Sequence, residues 1–315
     1  MLITNKFERY VLEENINVSI IMNCFNGEEF LVEAIDSVFN QTYTDWEIIF
    51  FDNASTDGSR EIAKSYGSKL KYYRINETVP LGEARSKAIM HASGKYLAFL
   101  DCDDLYVNNK LAKQVKMMDD NSFVMSYGSA GEIDKDGLFI RNCLAVNSSG
   151  NIFGKLLLNY DINMQSVMLL RSYLLENDLS FSKNFQYGPD YDLFMQIAST
   201  EKIGVLHEIV GWIRIHPGAL TRKKLYCVRD ELKSTIDRLT LRNPSIKVQY
   251  QHELKTAYAK FEFYQTRYLI SQGDTRAARA TIKPIINTRW EYLLLYLLLW
   301  LPLPRSLFIK LIFNR

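Results

Sequence analysis

The sequence predicts an α/β fold: a mixed sheet flanked by helices, with a helical extension at its C-terminal end. Three observations carry this expectation. From residue 18 to about 115, short apolar runs alternate with helix-periodic stretches. The strongest run, Tyr96-Leu97-Ala98-Phe99-Leu100, leads straight into Asp101-Cys102-Asp103-Asp104. Beyond Val228, strand signals stop and only helical periodicity continues. Alternating strands and helices build a parallel, doubly wound sheet, and a short continuous apolar run reads as a strand buried on both faces.

The elements follow in order. Val18 to Met22 reads as the first strand and Asn23-Cys24-Phe25-Asn26-Gly27 as a turn. Glu28 to Asn40 repeats Phe30, Leu31, Ala34, Ile35 and Val38 on one helical face. Trp46 to Phe51 is a second strand ending at Asp52. Asn53 to Gly58 is turn chemistry before a helix over 59–65. Leu70 to Ile75 is the third strand, and Leu81 to Ala92 a helix stopped by Ser93-Gly94. Past residue 120 the pattern weakens. Strands are expected at 123–127 and 138–140, helical structure over 151–179, and a helix from the turn Tyr187-Gly188-Pro189-Asp190-Tyr191-Asp192 to about Ser199. Residues 205–208 and 211–216 read as a closing hairpin, and 228–241 and 246–286 as helices broken at Gly273-Asp274.

Composition narrows the classes. A chain of 315 residues with 47% hydrophobic content can fill one large domain and an appendage. A net charge of +2, from 38 basic and 36 acidic residues, argues against wholesale nucleic-acid binding. The four cysteines are scattered without a Cys-x-x-Cys, so neither a disulfide framework nor a zinc site is expected, which fits a reducing compartment. The N-terminal stretch lacks a signal-peptide core, and no run reaches the ~20 apolar residues of a membrane span.

The acidic turn is the centre of the expected chemistry. Carboxylates at the C-terminal end of a parallel strand lie where open α/β sheets bind ligands. Three crowded acids repel one another, and a hard divalent cation that also carries substrate phosphates relieves them. A solvated acidic turn is the plain alternative.

An ordered motif set now resembles a family. It comprises Val18-Ser19-Ile20-Ile21 with Phe25-Asn26, Ser37 to Tyr43, Trp46-Glu47-Ile48-Ile49, Asp52 to Ser59, Gly82 with Ala84-Arg85, and Phe99 to Asp104. Residues 18–115 resemble the nucleotide-sugar half of the family 2 inverting glycosyltransferases, which have the GT-A fold. The likeness extends more thinly over 186–221. Because strand signals stop at Val228, the boundary is expected near 222–228, giving a catalytic domain over 1–225, with an acceptor half over about 116–225, and a helical extension over 226–315.

The resemblance also implies roles. Asp103 is the main ligand of a divalent metal, Mn2+ or Mg2+. Asp101 contacts the ribose or the metal, and His216, in Arg214-Ile215-His216-Pro217-Gly218-Ala219-Leu220-Thr221, completes the metal shell or touches the diphosphate. Asp104 orients neighbours or meets the donor sugar. Asn23, Phe25, Asn26 and Cys102 shape the nucleotide pocket. Asp52 contacts the base and Arg85 approaches the nucleotide. Thr221, Arg222 and Lys223 close over the phosphates. Asp190 is the general base, with Asp192 as fallback. Three positions depart from the family pattern: Asn53 where a second Asp is common, Ser86 where Asn is common, and Pro189 where an acid precedes the base.

The expected partners are a nucleotide-sugar donor, a UDP-sugar, and a glycan or lipid-linked glycan acceptor, with no nucleic acid. Residues 290–315 combine aromatics, leucines and basic residues, a composition suited to an anionic membrane interface. Packing on the catalytic domain or in a homodimer is the alternative cover. The expected location is the cytoplasm, with peripheral contact on the inner face of the cytoplasmic membrane. A sugar-phosphate nucleotidyltransferase is a rival enzyme class. It would carry a Gly-rich, basic phosphate loop where this chain has Asn23-Cys24-Phe25-Asn26-Gly27-Glu28. A non-catalytic glycan-binding protein on the same fold is the other rival, against which the retained acids argue.

Overall fold

Seven fully buried residues, Val18–Cys24 (β1), form a central strand of the sheet. Beside β1 run Trp46–Asp52 (β2), itself buried along its whole length, and Tyr96–Phe99 (β4), with Leu70–Arg74 (β3) outside β2. All four are parallel, in order β3-β2-β1-β4. A computed structural model of the protein describes residues 16–218 and 225–301. The crossover helices are Glu28–Phe39 (α1), Ser59–Lys64 (α2) and Leu81–Ile89 (α3). The five apolar positions expected on one face of α1 are the five it buries.

Beyond β4 the sheet becomes mixed. The two-residue strand Leu105–Tyr106 (β5) and Lys110–Asn121 (α4) lead into Met125–Asp134 (β6) and Phe139–Cys143 (β7). Phe153–Leu158 (α5) precedes Met168–Leu170 (β8), followed by Arg171–Glu176 (α6) and Pro189–Ala198 (α7). Ile203–Ile215 (β9) closes the path β4-β8-β6-β9-β5, with β7 paired to β6.

Two expectations are corrected here. The stretch 151–179 is not helical throughout: Met168–Leu170 is an inner strand, antiparallel to β4 and β6. Its three residues are too few to set a period. The expected hairpin at 205–216 is one strand, parallel to β6. The register jumps from Gly128↔Leu206 to Ser129↔Ile209, so His207 and Glu208 form a bulge, and their polarity imitates a turn.

The remaining helices are Val228–Arg242 (α8), Ser245–Gln249 (α9), Gln251–Gln272 (α10), Thr275–Ile282 (α11) and Trp290–Leu298 (α12). Gly273, at φ 85°, ends α10, and Asp274 caps α11 by accepting from the Ala277 N–H. Val228, Leu232, Ile236, Leu239, Leu254 and Phe261 join the core built on one face of the sheet, with Ile49, Phe99, Phe181 and Phe194. The opposite face packs on α1, α2 and α4. A separate small core holds Ile270, Ile282, Tyr292, Leu295 and Leu299.

One buried group gives a stability prediction. Lys110 is fully buried, 2.6 Å from Gln114 Oε1 and 4.4 Å from the Tyr106 ring centre. Burial pulls its ammonium down to about 7. Between that value and the ordinary lysine value the unfolded chain binds the extra proton, so stability must rise with pH. Urea unfolding from pH 7 to 9 should show a rise of up to about 1.4 kcal/mol per pH unit that is absent in Lys110→Met. Parallel pH curves for the two proteins would refute it.

Candidate active site

The acidic turn sits at the C-terminal edge of the parallel strands, directly after β4. Asp103 pairs with His216 at the end of β9, with Oδ2 3.0 Å from Nε2. Burial and the negative charge of Asp101 push the Asp103 carboxyl above the usual range, and His216 only partly offsets this. Asp104 is buried beneath them and accepts the Arg214 backbone N–H at 2.9 Å; burial pushes its carboxyl well up. Asp101 faces the other way. Both its oxygens accept from Arg85 Nη2, at 2.8 and 3.2 Å.

Arg214 organises this turn from beneath. It is 2% exposed. Its Nε donates to the Asp103 carbonyl, its Nη1 to the Lys135 carbonyl and its Nη2 to Glu33 on α1. Its guanidinium lies 4.6 Å from the Phe30 ring centre, and Phe30 meets the His216 ring edge-on at 5.1 Å. One planar fork thus ties the end of β9, the acidic turn and α1 together. Sequence reading listed Arg214 within a motif and gave it no role; Glu33 reads as one more exposed helix acid.

The loops after β1 and β2 are fastened to each other. The Asn26 N–H donates to Ser55 Oγ, Gly27 N–H to Ser59 Oγ, Glu28 N–H to Asp57, Thr56 N–H to Asn26 Oδ1 and Gly58 N–H to Glu28. Asn26 adopts φ 53°, which Asn tolerates better than most residues. Phe25 stands half exposed beside this seam. Asn23 is buried, and its Nδ2 has no partner among the described residues. A buried donor left unmade costs about 1–3 kcal/mol, so a ligand acceptor there would be favoured.

Asp52 is fully buried. Its carboxylate accepts from Tyr72 at 2.6 Å, from the Ser55 N–H at 2.7 Å and from Arg74. Burial alone would raise its pKa, but these bonds prevail and hold it below the usual carboxylate range. Asn53 explains the departure from the family pair. It donates to the Val79 carbonyl at 2.9 Å and accepts the Val79 N–H at 3.0 Å, which the acceptor-only carboxylate of an ionised Asp could not do. Cys102 turns its thiol to Cys24, with which it is hydrogen-bonded.

Across the crevice, α7 opens at Gly188-Pro189 with Asp190 in its first turn. Burial raises the Asp190 carboxyl above the usual range, and the Arg85 guanidinium pulls the other way; Asp101 also lies within electrostatic reach. Arg85, 4% exposed, binds the acidic turn at Asp101 and acts electrostatically on Asp190. Helix α3 approaches α7 closely: a Cβ on Gly82 would come within 2.1 Å of the Ser182 carbonyl oxygen and 3.0 Å of the Pro189 Cβ. Asp192 points elsewhere. Its Oδ1 accepts from Thr235 at 2.7 Å and from Arg238, both on α8.

Asp103 and His216 are the two side chains here that could contribute to holding a divalent cation. Asp103 and His216 are gathered, while Asp101 is turned to Arg85. Among the described residues no group of three or more His, Cys, Asp or Glu is assembled for an ion. One carboxylate and one imidazole would leave most of a coordination shell to phosphate oxygens and water. Thr221, Arg222 and Lys223, expected over the phosphates, and neighbouring Lys224 lie outside the described residues.

A sheet of this topology, with an acidic turn after its fourth strand, has the GT-A fold of nucleotide-sugar transferases. Residues 19–177 match the family described as Glycosyl transferase family 2, and the chain belongs to that family. An uncharacterised glycosyltransferase of Rickettsia bellii (strain RML369-C) is 32% identical over 215 residues, covering 68% of this chain and 31% of its own length. The UDP-Glc:alpha-D-GlcNAc-diphosphoundecaprenol beta-1,3-glucosyltransferase WfgD of Escherichia coli is 31% identical over 238 residues, 74% of this chain and 90% of that protein. Among solved structures, the mannosyltransferase PcManGT from Pyrobaculum calidifontis, in complex with GDP-Man and Mn2+, superposes with a TM-score of 0.57 at 16% identity, over 90% of this chain and 84% of the other. At that identity the likeness is one of fold. The chain spans about a third of the length of the first curated relatives it matches, 31 to 36%.

Proposed function

We propose that the chain is a metal-dependent inverting glycosyltransferase. It moves a sugar from a nucleotide sugar, a UDP-sugar, to a hydroxyl of a glycan or lipid-linked glycan. One observation carries this reading: Arg85 binds Asp101 of the acidic turn and acts electrostatically on Asp190, which links the proposed donor site to the proposed base. The names of the relatives agree, since WfgD acts from UDP-Glc on a diphosphoundecaprenol-linked sugar. The Mn2+ in the PcManGT complex supports a cation beside Asp103 and His216.

The roles follow from chemistry. Asp103, His216 and, once a donor displaces Arg85, Asp101 hold Mn2+ or Mg2+. When bound, the cation neutralises charge on the departing diphosphate. Asn23, Phe25, Asn26 and the backbone at Cys102 line the nucleotide side, and Asp52 fixes the 52–55 turn against the base. Arg85 faces the diphosphate. Asp190 takes the proton of the acceptor hydroxyl as that oxygen attacks opposite the leaving group. Asp192 is already engaged by Thr235 and Arg238, which favours Asp190 as the base. Residues 1–225 carry the catalytic groups, and 226–315 form the extension. A thermal-shift titration tests the donor site. Mn2+ and UDP together should raise the melting point by more than the sum of the two alone, and a merely additive response would remove the metal–nucleotide assignment.

A lipid-linked acceptor places the enzyme at the cytoplasmic face of a membrane, held peripherally by residues 290–315. No described helix is long and apolar enough to cross a bilayer. Helix α12 buries Tyr292 and Leu295 and exposes Trp290 (66%) and Leu297 (55%), with Trp300 (62%) just beyond its end. The basic tail residues Arg305, Lys310 and Arg315, with Leu307, Phe308, Leu311, Ile312 and Phe313, lie outside the described residues. Apolar burial at ~25 cal/mol per Å² and attraction to anionic lipid would act together. Replacing Trp290, Leu297 and Trp300 together by Ser should abolish sedimentation with anionic liposomes while sparing the fold, because these side chains are outside the core. Added salt should weaken wild-type binding. Undiminished sedimentation of the triple variant would exclude this surface.

A further inference from the structure

We propose that Glu231, on α8, is a positioning residue that sets Asp190 in place through the backbone of the turn before α7. The inference rests on the reading of Asp190 as the base. Glu231 is 8% exposed, and its carboxylate accepts three consecutive backbone N–H groups: Gln186 at 2.8 Å, Tyr187 at 2.9 Å and Gly188 at 2.9 Å. These residues lead directly into Pro189 and Asp190. Helix α7 has no side-chain cap of its own, so its entry geometry comes from Glu231 and the Gly188-Pro189 step. A carboxylate gripping three amides makes charge-assisted bonds about twice as strong as neutral ones. Its own place in the first turn of α8 suits a negative charge.

The same face of α8 makes a second hold. Thr235 and Arg238, at i+4 and i+7 from Glu231, bind Asp192, two residues past Asp190. Helix α7 is therefore gripped on both sides of Asp190, at its turn backbone and at its first internal carboxylate. A carboxylate base must lie within hydrogen-bond reach of the proton it takes, and a displacement near 1 Å costs on the order of a hundredfold in rate. The Gln186 side chain accepts from Tyr226 at 2.9 Å and Tyr187 packs on the core, but the backbone N–H groups of residues 186–188 all converge on the one Glu231 carboxylate. Sequence reading missed Glu231, since an acid in the first turn of a helix reads as a dipole complement and the helix lies in the predicted extension.

The test uses the full chain, Mn2+, UDP-glucose and a synthetic lipid carrying α-linked GlcNAc diphosphate. Glu231→Gln should lower kcat tenfold or more, with KM for UDP-glucose and the Kd for UDP unchanged within twofold. In the Asp190→Asn background it should lower kcat no further, because a residue acting only through Asp190 has nothing left to position. Glu231→Asp keeps the charge one methylene short. It should lose less activity than Glu231→Gln, and it serves the same measurements if the Gln variant does not fold. Wild-type kcat in Glu231→Gln, with Asp190→Asn inactive, would overturn the positioning role and leave the base assignment standing. Parallel loss of UDP affinity would overturn it by placing the turn in the donor site. Full activity in Asp190→Asn would overturn the base assignment and this inference with it.

Discussion

Replacing Asp103 by alanine is expected to abolish sugar transfer and leave the protein folded. Asp103 is the acid that faces His216, at 3.0 Å, and its carboxyl is held above the usual range by burial and by Asp101. A raised carboxyl means that its charged form is unfavourable in the folded protein. The sign follows: between the ordinary and the raised value the native state binds the extra proton, and above that window the ionised group costs stability. Removing it should therefore leave the melting point unchanged or raise it. The backbone of the turn stays tied by Arg214 through the Asp103 carbonyl and Asp104, neither of which the substitution touches. Loss of transfer with a retained or raised melting point would mark Asp103 as kept for ligand chemistry at a cost in stability. The synergy of Mn2+ with UDP in thermal shift should vanish in the same variant. Turnover at the wild-type rate would sink the metal assignment.

The parts legible from sequence are those with a period or a hard stop. Strands β1, β2 and β4 read cleanly because short, mostly apolar runs bounded by turn residues suit buried parallel strands, and α1 because its face repeats at helical spacing; β3, Leu-Lys-Tyr-Tyr-Arg, read through its aromatic residues instead. Strand β8 was hidden by brevity, and the unity of β9 by the His207-Glu208 bulge. At the site, Asp101 and Asp103 stand out because acids after an apolar run carry a local signal, whereas Asp190 stands out only through the family resemblance of its turn. What joins them does not. Arg214 reaches the Asp103 carbonyl across more than a hundred residues of chain, and Glu231 grips amides some forty residues away. Backbone acceptors and donors are invisible to side-chain patterns. Asn53 shows the same limit: its clamp on Val79 turns an apparent departure from the family pair into a structural requirement.

Asp190→Asn is expected to reduce transfer by about a hundredfold or more, as loss of a general base does, with little change in UDP affinity. The amide keeps the size of the side chain but cannot take a proton. Gly188, Pro189 and the bonds from Gln186, Tyr187 and Gly188 to Glu231 do not involve the Asp190 side chain, so the turn should survive. Burial raises the wild-type carboxyl above the usual range, against the opposing pull of Arg85. The base is competent only when ionised, so kcat/KM should fall as pH drops through a value above the ordinary aspartate pKa of about 3.9. The raised value also means that ionised Asp190 costs stability at neutral pH, and the Asn variant should melt no lower than wild type. Three readouts then act together: a large loss in rate, an unmoved UDP Kd, and disappearance of the acid limb from the residual activity. A collapse of UDP binding would instead move Asp190 into the donor pocket. The base would then have to be sought at Asp192, which could serve only by giving up Thr235 and Arg238.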